Sequence, residues 1–319
     1  MTHYDVFNGD ADGICALTQL RNADPRQSTL ITGVKRDISL LEQVDAQAGD
    51  SITVLDVSLD KNREALGKVL AAGADVFYCD HHFAGDIPEH EQFTSLINTE
   101  ADVCTSILIN GFLQGAFLEW AVVGAFGDNL FDSAEAMARQ LKLEAAELER
   151  LKNLGTYINY NGYGSNLADL HFAPAELYSL VSAFASPFDF MEESRDNFEK
   201  LENGYRDDMA AAGALQEYQS EQGTAVFILP NEAWARRVSG VYSNDLANGS
   251  PDRGHAVLTE KANGNYLVSV RAPLNNKTGA DELCRRFPTG GGRQAAAGVN
   301  DLPADMLIDF TTQFAEFYR

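Results

Sequence analysis

The chain has 319 residues, 45% of them hydrophobic, and a formal net charge of −23. That much apolar material exceeds the core of one mid-sized domain, so two domains are expected, and the charge argues against a protein that grips long nucleic acid by neutralising many phosphates. No run approaches the roughly 18 to 20 apolar residues of a membrane span, the start MTHYDVFNGD lacks the basic and apolar regions of a leader, and Cys15, Cys79, Cys104 and Cys284 are too scattered for a zinc ribbon or a disulfide framework; a soluble protein of the reducing cytoplasm is expected.

Strand-like runs come first at YDVF (4–7), STLIT (28–32), SITVLDV (51–57) and ADVFYC (74–79), separated by amphipathic stretches such as KNREALGKVLAAGA (61–74). This alternation predicts a parallel sheet. From about Asp132 to Gln222 the chain turns helical and charged, in SAEAMARQLKLEAAELERLKNLG (133–155) and MEESRDNFEKLENGYRDDMAAAGALQEYQ (191–219). After Gly223 the pattern restarts: a strand TAVFIL, a helix AWARRVSGVYSNDLA, strands GHAVLTEK and NYLVSVRAP turning over Asn263-Gly264, and helices GADELCRRF and PADMLIDFTTQFAEFY. The expected architecture is α/β: a parallel-sheet domain over 1–190, a helical linker over 191–222, and a smaller α+β domain over 223–319.

Acidic residues stand at or just after the carboxyl ends of the first domain's strands. VFNGDADG carries Asp10 and Asp12 with Asn8 beside them, VLDVS carries Asp56, CDHH carries Asp80, His81 and His82, and VVGAFGDN carries Asp128. Each alone reads most simply as a turn or helix cap. Groups at the carboxyl ends of an open parallel sheet converge in one crevice, and so many carboxylates together need cations. Oxygen-rich donors with one or two imidazoles favour Mn2+ or Mg2+ over zinc. Two such ions can share a carboxylate, activate a water and steady an in-line displacement at phosphorus. The chemistry implied is phosphoester hydrolysis.

The chain resembles the DHH phosphoesterases that carry a C-terminal DHHA1 domain, through NGDADG (8–13), Asp56, DHH (80–82), GDN (127–129) and GGGRQAAAG (290–298), over nearly its whole length. The resemblance implies that Asp10, Asp12, Asp56, His81 and Asp128 hold two Mn2+ ions, with Mg2+ as the alternative and Asp56 as the bridge. It implies that Asp80 orients His81 and that His82 contacts the scissile phosphate or the leaving group. Two departures stand out. Many relatives of this kind have a histidine upstream of the two aspartates, where this chain has Val6 and Asn8, so Asn8 becomes a candidate ligand. Arg293 stands where the last motif usually has a histidine.

In the second domain, Gly290, Gly291 and Gly292 can bring bare N–H groups to phosphate oxygens, and the small residues after them suit a helix start. Arg271, at the end of VSVRAP, can fork onto a terminal phosphate. Thr105 and Ser106, in DVCTSILI, either offer a helix N-terminus to phosphate or cap that helix. YINYNGYGSN (157–166) either stacks a base or connects two helices.

The function expected is a metal-dependent phosphodiesterase that takes very short 5′-phosphorylated oligoribonucleotides, such as the linear dinucleotides left by opening cyclic ones, to mononucleotides. The partners expected are that substrate, with no long duplex and no membrane; the sequence leaves the oligomeric state open, a homodimer included. The alternatives are a single-strand DNA exonuclease, a nucleoside-bisphosphate phosphatase and, in another class, a catalytically silent nucleotide-binding sensor.

Overall fold

A computed structural model describes residues 1–319. The chain divides into two compact units, Met1–Asn203 and Gly204–Arg319. No helix is long and apolar enough to cross a membrane.

The first unit opens with β1 (His3–Phe7), α1 (Ala11–Ala23), β2 (Thr29–Ile31), β3 (Ser51–Leu55), α2 (Leu59–Ala71), β4 (Asp75–Asp80) and β5 (Phe93–Ile97). The five strands are all parallel, in the order β2-β1-β3-β4-β5. Leu59, Ala65, Leu66, Val69 and Leu70 of α2 recur at helical spacing and bury their stripe against Ile52, Val54, Val76 and Tyr78 of the sheet. Strand order reverses between β1 and β3, the place where open sheets form a crevice at the strands' carboxyl ends. Phe7 pairs with Leu55, and Leu55 with Cys79. The next residues of the three strands, Asn8, Asp56 and Asp80, therefore stand in one row.

Seven helices follow: α3 (Thr105–Phe112), α4 (Leu118–Gly127), α5 (Phe131–Ala138), α6 (Ala145–Gly162), α7 (Pro174–Val181), α8 (Pro187–Glu193) and α9 (Arg195–Gly213). The continuous helical pattern of 133–155 is in fact two helices. Lys142 adopts the left-handed conformation (φ 54°), and Glu144 and Glu147 then close a reciprocal capping box that starts α6. α4 and α6 touch backbone to backbone, because a side-chain carbon on Gly155 would lie 2.3 Å from the Val123 carbonyl oxygen. That contact brings the carboxyl ends of both helices toward the crevice.

The second unit holds β6 (Gln219–Glu221), β7 (Thr224–Leu229), α10 (Ala233–Gly249), β8 (Gly254–Glu260), β9 (Tyr266–Arg271), α11 (Ala280–Cys284), β10 (Gly290–Gly292), β11 (Ala296–Leu302) and α12 (Leu307–Phe317). Its sheet runs β10-β11-β9-β8-β7-β6, antiparallel except for the β7–β8 pair. Val226, Leu258, Val268 and Val270 pack with Leu283, Phe310 and Phe314 as its core. The stretch 191–222, expected as a linker, contains α9 and β6, and the boundary between the units falls inside α9.

GGGRQAAAG, expected as a phosphate-cradling loop running into a helix, is a β-hairpin. Gly290–Gly292 pair antiparallel with Val299–Ala297, and Arg293 and Ala296 exchange backbone hydrogen bonds of 2.9 and 3.2 Å around Gln294-Ala295. Packing explains the small residues: a side-chain carbon on Gly290 would meet the Cys284 carbonyl oxygen at 1.8 Å, whereas nothing lies within 4 Å of one on Gly291.

Candidate metal centre

β1 ends at Phe7, and Asp10 caps the N-terminus of α1, its Oδ1 accepting from the backbone N–H groups of Asp12 (3.0 Å) and Gly13 (3.1 Å). Asp12, in the first turn, is buried. Its two carboxylate oxygens accept from the backbone N–H groups of Thr105 (2.8 Å) and Ser106 (2.6 Å), the first residues of α3, and the Ser106 hydroxyl donates to its carbonyl at 2.8 Å. The positive end of α3 thus faces a carboxylate of the chain itself. Thr105 and Ser106, considered for phosphate, are fully buried and spend these groups on Asp12.

Asp56 follows β3 with φ 58°, a conformation in which Asp and Asn are tolerated but strained. His81 and His82 follow β4, and the alternation of an extended chain sends them different ways. His81 Nε2 lies 3.4 Å from Asp56 Oδ1, 3.8 Å from Asp128 Oδ2 and 3.9 Å from Asp12 Oδ2. One donor atom each of Asp12, His81 and Asp128 lie within 4.8 Å of one another, and so do one each of Asp56, His81 and His82, so His81 is common to two sets of side chains able to hold a divalent cation. Asp128, expected after a strand, is instead delivered by the carboxyl end of the helix α4, which the run before it forms.

Asp80 does not orient His81. Its Oδ1 accepts from His82 Nδ1 at 2.7 Å, and its Oδ2 has no hydrogen-bond partner. The physical reason is again alternation: residues i and i+2 of an extended segment share a side, and i and i+1 do not. His82, the more exposed of the two rings, is left with Nε2 open to the crevice.

Asn8 is engaged elsewhere than at a metal. Its Oδ1 accepts from the backbone N–H of Asp10 (3.2 Å) and its Nδ2 donates to the Lys35 carbonyl (3.3 Å). The sequence reading missed Lys35 itself, whose ammonium donates to Asp10 Oδ2 (2.5 Å) and to Asn159 Oδ1 on α6 (2.8 Å), with Asp128 Oδ1 at 4.0 Å. A signal existed: GVKRD follows β2, the parallel neighbour of β1, so its residues leave the sheet on the crevice side. Of YINYNGYGSN, Tyr160 and Asn161 are buried, Asn161 tying α6 to His171 and Phe172, so this stretch connects helices.

The charges set the protonation pattern. Burial pushes the Asp10 carboxyl up, but Lys35 outweighs it and brings the group down to about 2. Asp56 is driven well above the carboxylate range by burial and then by Asp10, Asp12, Asp128 and Asp80. Burial, opposed by Lys35 and assisted by Asp12 and Asp10, raises Asp128 to about 6. Carboxylates that resist ionisation next to an imidazole are those a divalent cation would ionise.

In the second unit, the register sets Arg271, Ala296 and Arg293 in one row across β9, β11 and the end of β10, and directly paired residues of antiparallel strands share a face. Arg271 Nε donates to Asn244 Oδ1 on α10 (2.7 Å) and its Nη1 to Ser269 Oγ (3.0 Å); Arg293 is exposed.

No protein-family profile matches the chain and no curated protein sequence is similar to it. Solved structures are similar in fold. A DHH-domain protein assigned to a family of ribosomal proteins superposes with a TM-score of 0.68 at 12% identity, over 99% of this chain and 86% of the other. The exonuclease RecJ bound to manganese gives 0.64 at 14% identity, over 99% and 90%. PggH, a pGpG-specific phosphodiesterase from Vibrio cholerae, gives 0.59 at 15% identity, over 100% and 99%. The fold is that of the DHH-domain proteins, with the parallel sheet in the first unit and the mixed sheet in the second.

Proposed function

We propose that the chain is a DHH/DHHA1 phosphoesterase: a divalent-metal phosphodiesterase acting on very short 5′-phosphorylated oligoribonucleotides, with linear dinucleotides as the preferred class. The observation that carries this reading is the ring of Asp12, Asp56 and Asp128 oxygens within 3.9 Å of His81 Nε2, beside a second histidine with a free ring nitrogen. Those four side chains would hold Mn2+, with Mg2+ as the alternative. The ion would polarise a phosphoryl oxygen and lower the pKa of a bound water. The protein's own part is positional. Asp12 is locked by two α3 N–H groups, and His82, held through Nδ1 by Asp80, turns Nε2 toward the phosphate or the leaving oxygen. The two-ion arrangement expected from the sequence would require Asp10 to release Lys35.

In the second unit we assign the substrate's terminal phosphate to Arg271 and Arg293, with the open backbone of Gly291 on the edge strand β10 two residues before Arg293; Gly290 and Gly292 shape the hairpin. A short substrate is favoured by the net charge of −23, which repels long strands, and by the match in length to PggH, of which the chain covers 99%. The likeness to RecJ favours a single-strand exonuclease as the second reading. Four unpaired, buried cysteines suit the reducing cytoplasm.

The test is hydrolysis of a panel of 5′-phosphorylated RNAs of two to ten nucleotides, and of single-stranded DNA, with Mn2+ and after EDTA. Activity should be highest at two or three nucleotides and absent after EDTA. Equal rates on a long strand would put the exonuclease reading in its place, and activity surviving exhaustive EDTA would overturn the metal mechanism.

A further inference from the structure

Lys35 fills the part of the crevice where a second ion would have to sit. Such an ion would need donors from Asp10, Asp56, Asn8 or the Nδ1 of His82, the nitrogen of that ring 3.8 Å from Asp56 Oδ1, and all but Asp56 are otherwise engaged. Asp10 Oδ1 caps α1 and its Oδ2 receives the Lys35 ammonium at 2.5 Å. Both ends of the Asn8 amide bind backbone, and His82 Nδ1 is on Asp80. A divalent cation on Asp10 Oδ2 would lie within a few Å of the ammonium, at a large Coulomb cost.

Lys35 is also built in. Its backbone N–H donates to the Gly162 carbonyl at the end of α6 (2.9 Å), its carbonyl accepts from Asn8, its ammonium is shared by Asp10 and Asn159, and the Tyr163 ring lies 5.3 Å away. Asn159 is itself buried, so an uncharged acceptor has been set inside the fold to receive the cation. An ammonium has three donors. Two are used, and the third is left for a phosphate oxygen.

We propose that Lys35 is the resident cation of the crevice: it takes the place of a second divalent ion beside Asp10, so the chain binds one divalent ion, at Asp12, Asp56, His81 and Asp128, and the ammonium supplies the second positive charge facing the substrate phosphate. This rests on the metal phosphodiesterase reading and deepens it. The positive charge beside Asp10 is then covalently fixed and does not vary with free metal.

The experiment counts ions. Mn2+ is added to the metal-free full-length chain, bound metal is quantified after desalting, and electron paramagnetic resonance distinguishes an isolated ion from an exchange-coupled pair. Wild type should hold one equivalent with the spectrum of an isolated Mn2+. Lys35→Gln frees Asp10 and should rise to two equivalents with a coupled spectrum, whereas Lys35→Arg keeps the charge and should stay at one. Two coupled ions in wild type would overturn the proposal and leave the phosphodiesterase reading standing, and this measurement holds even where a variant fails to fold. A folded Lys35→Gln chain that stays at one equivalent would also overturn it. No bound Mn2+ in wild type would overturn both readings.

Discussion

His82 Nδ1 and Asp80 Oδ1 lie 2.7 Å apart across a single residue, His81, whose ring faces the carboxylates instead. Asp80 is fully buried, and this is the hydrogen bond its carboxylate makes. Burial disfavours the charged imidazole, yet the hydrogen bond and charge of Asp80 leave His82 above its ordinary pKa. The orientation of the ring is therefore fixed and its proton strongly held.

Asp80→Asn should loosen that orientation while leaving every donor of the proposed ion in place. Activity on a dinucleotide should fall about 10- to 100-fold, the usual effect of removing a partner that orients a site histidine, with bound Mn2+ unchanged. His82→Gln should abolish the effect of adding Asp80→Asn, because the two act as one unit. A full extra loss in the double variant would separate their roles.

Asp56 is costly to the metal-free fold. It combines φ 58° with a carboxyl that burial and four neighbouring aspartates push well above its normal pKa. Asp56→Asn keeps a residue type that accepts the left-handed conformation and removes the charge. The variant should lose metal binding and nearly all activity, yet its metal-free form should be more stable by about 1 kcal/mol, read as a higher urea midpoint. A metal-free variant less stable than wild type would show that Asp56 serves the fold.

How far the site could be read from the sequence follows from which contacts are local. Asp10, Asp12, Asp56 and His81 could be brought together on paper because strand ends of a parallel sheet must converge, and the alternation of strand and helix gave the sheet; Asp128 was placed there for the wrong reason, since the run before it is the helix α4 and not a strand. Lys35 was missed because its reach to Asp10 and Asn159 spans 25 and 124 residues of sequence, and a lone lysine carries no motif. Thr105 and Ser106 were legible as a helix start, but their claimant, Asp12, lies over 90 residues away. β5 and the Gly290 hairpin went unread for another reason. Phe93–Ile97 is half-buried with no clear alternation, and three glycines look like a loop until Cys284 crowds one of them. The left-handed Lys142 that divides α5 from α6 leaves no mark, since lysine is a good helix former.

Arg271 carries the proposed contact to the substrate end. Arg271→Ala should raise KM for a 5′-phosphorylated dinucleotide by roughly tenfold to a hundredfold, the size of a lost charge-assisted fork, with Mn2+ content unchanged. The penalty should shrink for the same dinucleotide without its 5′ phosphate. Equal penalties on both substrates would remove Arg271 from that end.

His255, on β8, gives a pH dependence that owes nothing to metal. It is almost wholly buried and its Nδ1 has no hydrogen-bond partner. Burial and the neighbouring Arg253, opposed by Glu217, lower its pKa from 6.5 to about 4. In the unfolded chain the ring takes its proton near pH 6.5; in the folded one it stays neutral down to about pH 4. Between those values the unfolded state holds more protons, so stability is fully present above about pH 6.5, falls as the pH drops, and levels off once the folded ring is protonated too. His255→Gln removes this titration. The difference in urea midpoint between wild type and His255→Gln should be constant above pH 7 and should shift steadily in the variant's favour from about pH 6.5 to about pH 4, because only wild type loses stability there. The unit's fold would not depend on a neutral His255 if that difference were flat across the whole range.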